Sequence, residues 1–427
     1  MKFNKWTLGL AAVGAVSMAS AVRADDAPKP SALNTALSNT TISGYVSASA
    51  NWTASPDNVS SPGTAIPLQA GKQNGFNLDV VKLTIAKPED TTPWASGYHV
   101  DLLFGPDAAG YNNSVSSNTG YRNSQGEVAI QQAFITLRTP VGNGIDWKVG
   151  VFNTVIGYES FDAGSNPNYT RSWGWAVEPT EHTGVLASYT VSDELSFNAG
   201  VANTLSSGIN TRNGYKDQGE VNNGAWNKTV MGSGTFSAPS SWGWASGSAF
   251  YVGMVYGWAA GTQSGNQQNV QQSYPAGGDQ GGNQQNYYAG ATLNSPWKNV
   301  TFGAAFDYVQ NLGGTATFGL HADDYIFGLY NTIKATDKLS FNTRGEYWEV
   351  NAKGGPNGSS LGSDTGISLT ETVEYDLWAN VVSRLEFRYD KVIESDYANV
   401  IGYVLPTGAF VDNASSYGVY ANIIYKF

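Results

Sequence analysis

The chain contains no cysteine in 427 residues. Disulfides, thiolate nucleophiles and zinc–cysteine sites are therefore excluded together. Histidine is almost as scarce. His99, His182 and His321 lie on separate segments at no spacing that builds a metal pair, so neither a metal nor another cofactor is expected. Charged residues make up only 13% of the chain, and the positive sign is the scarcer, with 23 Lys and Arg against 34 Asp and Glu. Nucleic-acid binding runs on phosphate neutralisation by Lys and Arg, so no nucleic-acid partner is expected. Beyond residue 22, no uncharged apolar run approaches the roughly 18 residues of a membrane-spanning helix. Aromatic residues, by contrast, are plentiful: 13 Trp, 24 Tyr and 17 Phe stand beside 50 Gly. Disordered chains lack aromatics, so this chain folds.

The amino-terminal stretch has the layout of an export signal. Lys2 and Lys5 precede an apolar run from Leu8 to Val16, and Val22-Arg23-Ala24 precedes a cut at Asp25, with Ala19-Ser20-Ala21 as a second cleavage position. The uncharged stretch Trp6–Val22 is short and interrupted by polar residues, which suits a cleaved signal better than an anchor. Residues 1–24 are expected to be removed and residues 25–40 to form a polar linker. The first 24 residues hold Lys2, Lys5 and Arg23 and no acid, so the remaining chain has 20 basic and 34 acidic residues, a net charge of −14.

At the other end the chain alternates to its last residue. Tyr417, Val419, Ala421, Ile423, Tyr425 and Phe427 share one face, and Gly418, Tyr420, Asn422, Ile424 and Lys426 share the other. A two-residue period running to a terminal aromatic suits the last strand of an outer-membrane β-barrel, apolar toward lipid and polar toward the interior. The tail carrying Tyr425 and Phe427 resembles the signature that barrel-assembly machinery recognises.

Similar period-2 segments recur along the chain, separated by connections that alternate long and short. They are 42–52, 76–87, 94–104, 128–138, 145–152, 181–191, 195–203, 228–237, 248–258, 286–293, 300–309, 325–334, 339–350, 367–377, 384–391 and 415–427. That gives sixteen strands with eight long and seven short connections, the rhythm of a transmembrane antiparallel β-barrel with short periplasmic turns and long outer loops. Residues 41–427 are read as one closed barrel, because such a sheet is a single unit whatever its length. Strand two changes phase, since Leu78 and Val80 continue as Val81, Leu83 and Ile85, and this predicts a bulge.

A charge on the lipid face is costly, so the alternation assigns the charged residues to the interior. Asp101, Arg138, Lys148, Arg344, Glu346, Arg384, Glu386, Arg388 and Asp390 are expected to line it, either as a stiffening ion-pair network or as a field along a water-filled channel. The segment 153–179 stands apart, being too aromatic for an ordinary outer loop. It is a candidate for folding into the lumen, with Arg171, Glu159 and Asp162 as a polar rim and Tyr169, Trp173 and Trp175 as stacking surface. The competing reading makes its aromatics anchors at the outer interface.

Three stretches carry a family resemblance: Phe76–Leu83, Val100–Ala108, and Asn166–Ser172 with Glu181–Val185. They resemble the OmpL-like β-barrel porin family of Gram-negative outer membranes. The resemblance implies a porin and supplies no functional residues of its own. Catalytic residues are not expected. Gly358-Ser359-Ser360-Leu361-Gly362 matches G-x-S-x-G but sits in a polar stretch with no following helix. The reading is therefore an outer-membrane porin giving passive diffusion of small hydrophilic solutes such as ions and sugars. Its expected partners are outer-membrane lipid, the assembly machinery, those solutes and copies of itself in a homotrimer. The alternatives are a substrate-selective sugar channel, a barrel enzyme, and an adhesin or structural barrel acting through loop 259–283.

Overall fold

The computed structural model describes residues 39–54, 66–69, 72, 74–109, 128–205, 209, 216–217, 220–221, 228–258, 283–312, 321–354, 359–395 and 414–427. The expected signal and most of the linker lie outside these residues, as do positions 259–282 of the polar loop. Sixteen antiparallel strands close into one barrel. They are β1 (Thr41–Ala54), β2 (Gly75–Lys87), β3 (Ser96–Phe104), β4 (Val128–Thr139), β5 (Ile145–Asn153), β6 (Glu181–Thr190), β7 (Leu195–Ala202) and β8 (Thr229–Ser237), followed by β9 (Ala249–Trp258), β10 (Asn283–Asn294), β11 (Val300–Leu312), β12 (His321–Lys334), β13 (Leu339–Gly354), β14 (Ser359–Trp378), β15 (Val381–Ser395) and β16 (Ser415–Lys426). Each pairs with its chain neighbours, and β1 pairs with β16 to close the sheet. A short helix α1 (Pro106–Ala109) follows β3, and α2 (Trp173–Val177) precedes β6. Among the described residues no helix is long and apolar enough to cross a membrane; the crossing is by strands.

The bulge in strand two is present. The β1–β2 register slips between Ser47 and Ala48, whose partners are Val80 and Leu78, so Asp79 is the extra residue. Asp79 and Val80 both turn inward, and Phe76, Leu78 and Val81 remain outside. Several boundaries differ from the alternation. Trp94 belongs to the turn before β3, at φ 65° and 74% exposed, because the chain must reverse there before pairing resumes at Ser96. Strands β12 to β15 run beyond their predicted ends, β14 by eight residues at its start (359 against 367). Above the lipid belt, outward residues such as Glu349 and Thr365 are polar, so the alternation fades while the ladder of backbone hydrogen bonds continues.

Tyrosines stack outside β10 to β12, with 5.9 Å between the Tyr287 and Tyr308 rings and 4.7 Å between Tyr308 and Tyr325. Trp94, Trp242, Trp244, Trp297 and Trp378 are exposed at the opposite end, in or beside the short turns. These are the two aromatic girdles of a membrane barrel. The seam between first and last strand is tied at its end by Phe427, whose N–H donates to Gly44 O and whose carbonyl accepts from Gly44 N–H, each at 3.0 Å. A Cβ on Gly44 would strike the Lys82 carbonyl and the Phe427 ring, so the close approach requires glycine. Deleting Phe427, or replacing it with Asp, is expected to lower folded barrel in the membrane fraction severalfold, read from heat-modifiable gel mobility. Normal levels would mean that the β1–β16 ladder closes the seam without it.

Candidate functional site

The connection between β5 and β6 does not continue outward. Its ends meet, with Thr154 N–H donating to Thr180 O at 2.9 Å, and the residues between them run across the barrel interior. They meet the inward faces of strands on nearly every side. Ile156 lies against Gly253 of β9, Tyr158 against Gly303 of β11, and Gly164 against Lys426 of β16. Glycines at these wall positions leave room for the incoming side chains. Tyr158 also stacks on Tyr330 of β12, 4.1 Å between ring centroids.

A chain crossing a barrel this way has no strand partner for its backbone, and each unpaired buried N–H or C=O costs free energy. Charged wall side chains supply the missing partners. Glu386 accepts from Tyr169 N–H and Thr170 N–H, and Glu346 accepts from Trp173 N–H. Arg384 donates to the carbonyls of Ala163, Asn166 and Asn168. Arg388 donates to Arg171 O at 2.5 Å, and Arg344 to Thr170 O at 2.7 Å. Arg344 also pairs with Glu159 at 2.7 Å and Glu346 at 2.8 Å. Asp390 holds Arg388 at 2.8 Å and accepts from the Trp173 indole at 3.0 Å. The inward charges of β13 to β15 are thus the docking groups of the segment, and Arg344 and Arg388 are 0% exposed.

The remaining expected residues fall as follows. Arg171 is buried and donates to the carbonyls of Phe161 and Tyr169, so it braces the segment from within and does not form a rim. Tyr169, Trp173 and Trp175 are buried as well, the two tryptophans in the wall clusters and Tyr169 beside the Tyr420 ring at 5.6 Å; the tertiary fold turns their faces away from open space, and they offer no stacking surface. Asp162 is half-open and pairs with Lys82 of β2 at 2.7 Å. Asp101 joins the same group through Lys82 at 3.0 Å and His99 at 3.0 Å. Lys148 sits over the Phe134 ring at 4.6 Å, and Arg138 pairs with Asp146 beside the β4–β5 turn.

Some residues of the site were missed by pattern reading. Asp79, turned in by the bulge, accepts from Ser47, Ser49, Asn422 and Tyr169 and pairs with Lys72 at 3.3 Å. The phase change announced the bulge, but its partners are distant in sequence. Glu178 hydrogen-bonds to Asp307 of β11; burial first, then the charge of Asp307, raises the Glu178 carboxyl well above the usual range, so it carries the proton that joins the pair. Ser359–Gly362 of the G-x-S-x-G run lie within β14, in no strand–turn–helix context; Gly358 is outside the described residues.

Residues 39–426 match the family described as Putative beta-barrel porin-2, OmpL-like. The chain belongs to that family. It is an outer-membrane porin of a Gram-negative bacterium. No curated protein matches it in sequence. Solved structures share the fold. The outer membrane channel DcaP of Acinetobacter baumannii aligns at TM-score 0.55 with 10% identity, covering 93% of this chain and 100% of that one. OmpT of Vibrio cholerae, folded in vitro, aligns at 0.52 with 14% identity, covering 93% and 100%. An anion-selective porin from Comamonas acidovorans aligns at 0.52 with 9% identity, covering 91% and 99%.

At the periplasmic mouth of this OmpL-like porin, the β2–β3 turn carries Glu89. Burial, followed by the neighbouring charge of Asp146, pushes its carboxyl up to about 7, with Arg138 opposing. The group is neutral below that pH and anionic above it, so its proton is lost as pH rises through neutrality. Cation preference is expected to increase between pH 6 and pH 8, and Glu89→Gln should abolish that increase. A pH-independent reversal potential in the unmodified porin would remove Glu89 from the ion path.

Proposed function

We propose that this porin passes small hydrophilic solutes by passive diffusion along the β2–β5 side of the barrel, with segment 153–179 setting the narrowest point. The observation that carries the reading is Asp162. It lies inside the barrel, paired with the wall residue Lys82, and its side chain is still 40% accessible. Water therefore reaches this depth beside the docked segment. The same side holds partly exposed, inward groups of both signs, His99, Lys148 and Asp146, as a solvated path for polar solutes would. On the β6–β12 side, Leu186, Met231, Tyr251, Val255 and Tyr288 pack with Ile156 and Tyr158 of the segment. The porin works without an energy source, and the route does not itself catalyse a reaction. The test is planar-bilayer recording of the refolded porin in a salt gradient. Stable stepwise conductance that changes its reversal potential on Lys82→Glu supports this route. A folded but silent barrel would turn attention to an enzyme, adhesin or structural role.

A further inference from the structure

The outer surface carries one feature that lipid does not explain. On β10 to β16, the outward positions between the two aromatic girdles are apolar, alanine or glycine, with three exceptions. Asn331 on β12, Thr343 on β13 and Glu371 on β14 are partners in one row across adjacent strands. Glu371 is exposed, flanked on its strand by the exposed Leu369 and Val373, while Thr370 and Thr372 beside it are buried inside. Its depth is central. Tyr375 at one girdle is four positions away, and Ile367, the partner of Tyr347 at the other girdle, is four positions away in the opposite direction. Thr343 donates to Glu371 Oε2 at 2.8 Å, and Oε1 can accept a further hydrogen bond. Asn331 makes one long contact, to Thr301 O at 3.4 Å, and has donor capacity to spare. A carboxylate at mid-membrane is costly against hydrocarbon, where it finds no donors.

We propose that this face is the contact surface between copies of the chain, with Glu371 of one copy hydrogen-bonded to Asn331 of the next. The pairing follows from symmetry. When the row faces an axis along the membrane normal, one flank of each copy meets the opposite flank of its neighbour. Glu371 then comes beside Asn331, and Thr343 lies nearest the axis, for a two-fold or a three-fold assembly alike. Strand tilt offsets the two ends of the row in depth by roughly 6 Å, from two strand spacings at about 40°. The two polar side chains can bridge that gap. Gly345, outward and two positions from Thr343, sits between the partners Leu329 and Leu369, and a Cβ there would meet nothing within 4 Å. It leaves a notch in which a neighbouring side chain can seat. The surface is separate from the barrel interior, so its test does not depend on conduction.

The chain has no cysteine, which makes a single introduced thiol a clean reporter. Thr343→Cys in native outer membranes should cross-link to a species of twice the monomer mass under mild oxidation. Val149→Cys, on the opposite side of the barrel, should not. Glu371→Leu should raise the monomer fraction in mild detergent by roughly tenfold or more, since truncating one partner of a buried hydrogen-bonded charge weakens an interface strongly. Heat-modifiable mobility would show that the barrel itself remains folded. If Glu371→Leu blocks assembly of the barrel, Asn331→Leu serves as the second variant, with the same shift expected. Absence of the Thr343→Cys cross-link, its formation only to a different protein, or an unchanged mass for folded Glu371→Leu would each overturn the proposal.

Discussion

Replacing Arg344 with Leu should free the inner segment while leaving the barrel closed. The guanidinium is fully buried and holds Glu159 of the segment, Glu346 of the wall, and the carbonyls of Thr170 and Arg171. Removing one side of a buried ion pair leaves the other charged and unpaired, at about 3–5 kcal/mol. Here two carboxylates and two carbonyls are stranded together. The sixteen-strand ladder does not use the Arg344 side chain, so the loss falls on docking. Protease sites within 153–179 should become cleavable in the folded barrel, and conductance should rise and become noisier. A variant with unchanged conductance and an intact segment would show that the other docking groups suffice. Arg344→Glu should do more harm, because it sets a third carboxylate between Glu159 and Glu346. It is not a simple charge reversal in a water-filled channel.

Excising residues 155–179 and joining Thr154 to Thr180 through a short Gly/Asn turn should have the largest effect on transport. The junction is already formed, since those two residues are hydrogen-bonded at 2.9 Å and Asn153 pairs with Glu181. The excision removes Ile156, Tyr158, Phe161, Trp173, Trp175 and Val177 from three apolar clusters against the wall. Each fully buried side chain of this size is worth roughly 1.5–3 kcal/mol, so thermal stability should fall clearly. What remains is a sixteen-stranded barrel freed of the crossing segment, wide enough for water by its strand number. Conductance should increase severalfold and larger sugars should enter liposomes loaded with the variant. If solute size limits stay the same, the narrowest point lies elsewhere, in the outer loops.

Much of this was written in local pattern. Period-2 alternation found sixteen strands because lipid outside and polar groups inside repeat along every one of them. It also announced a bulge in strand two, since a slip of one residue reverses every later side chain; the pairing register placed it at Asp79. Alternation likewise put Arg344, Arg384, Arg388, Glu346, Glu386 and Asp390 inside. It could not say what they meet there. The partners of Arg344 lie on the segment more than 170 residues earlier, and Glu386 caps backbone 216 and 217 residues away. No local rule encodes that separation.

The same limit explains the aromatic segment. Composition marked 153–179 as unusual, but whether Tyr169, Trp173 and Trp175 face open space or wall depends on which strands lie opposite once the barrel closes. The outward carboxylate at mid-membrane was present in the sequence as well, as Glu371 in the alternating run Ile367, Leu369, Glu371, Val373. Its meaning came only with the sheet, which set Thr343 and Asn331 beside it at one rung. The sequence by itself determined which side of the sheet each residue takes, because that is a property of a single strand. Tertiary structure alone decided which residues face one another across the barrel and along its outer rows, because closure and register bring together strands that are far apart in the chain.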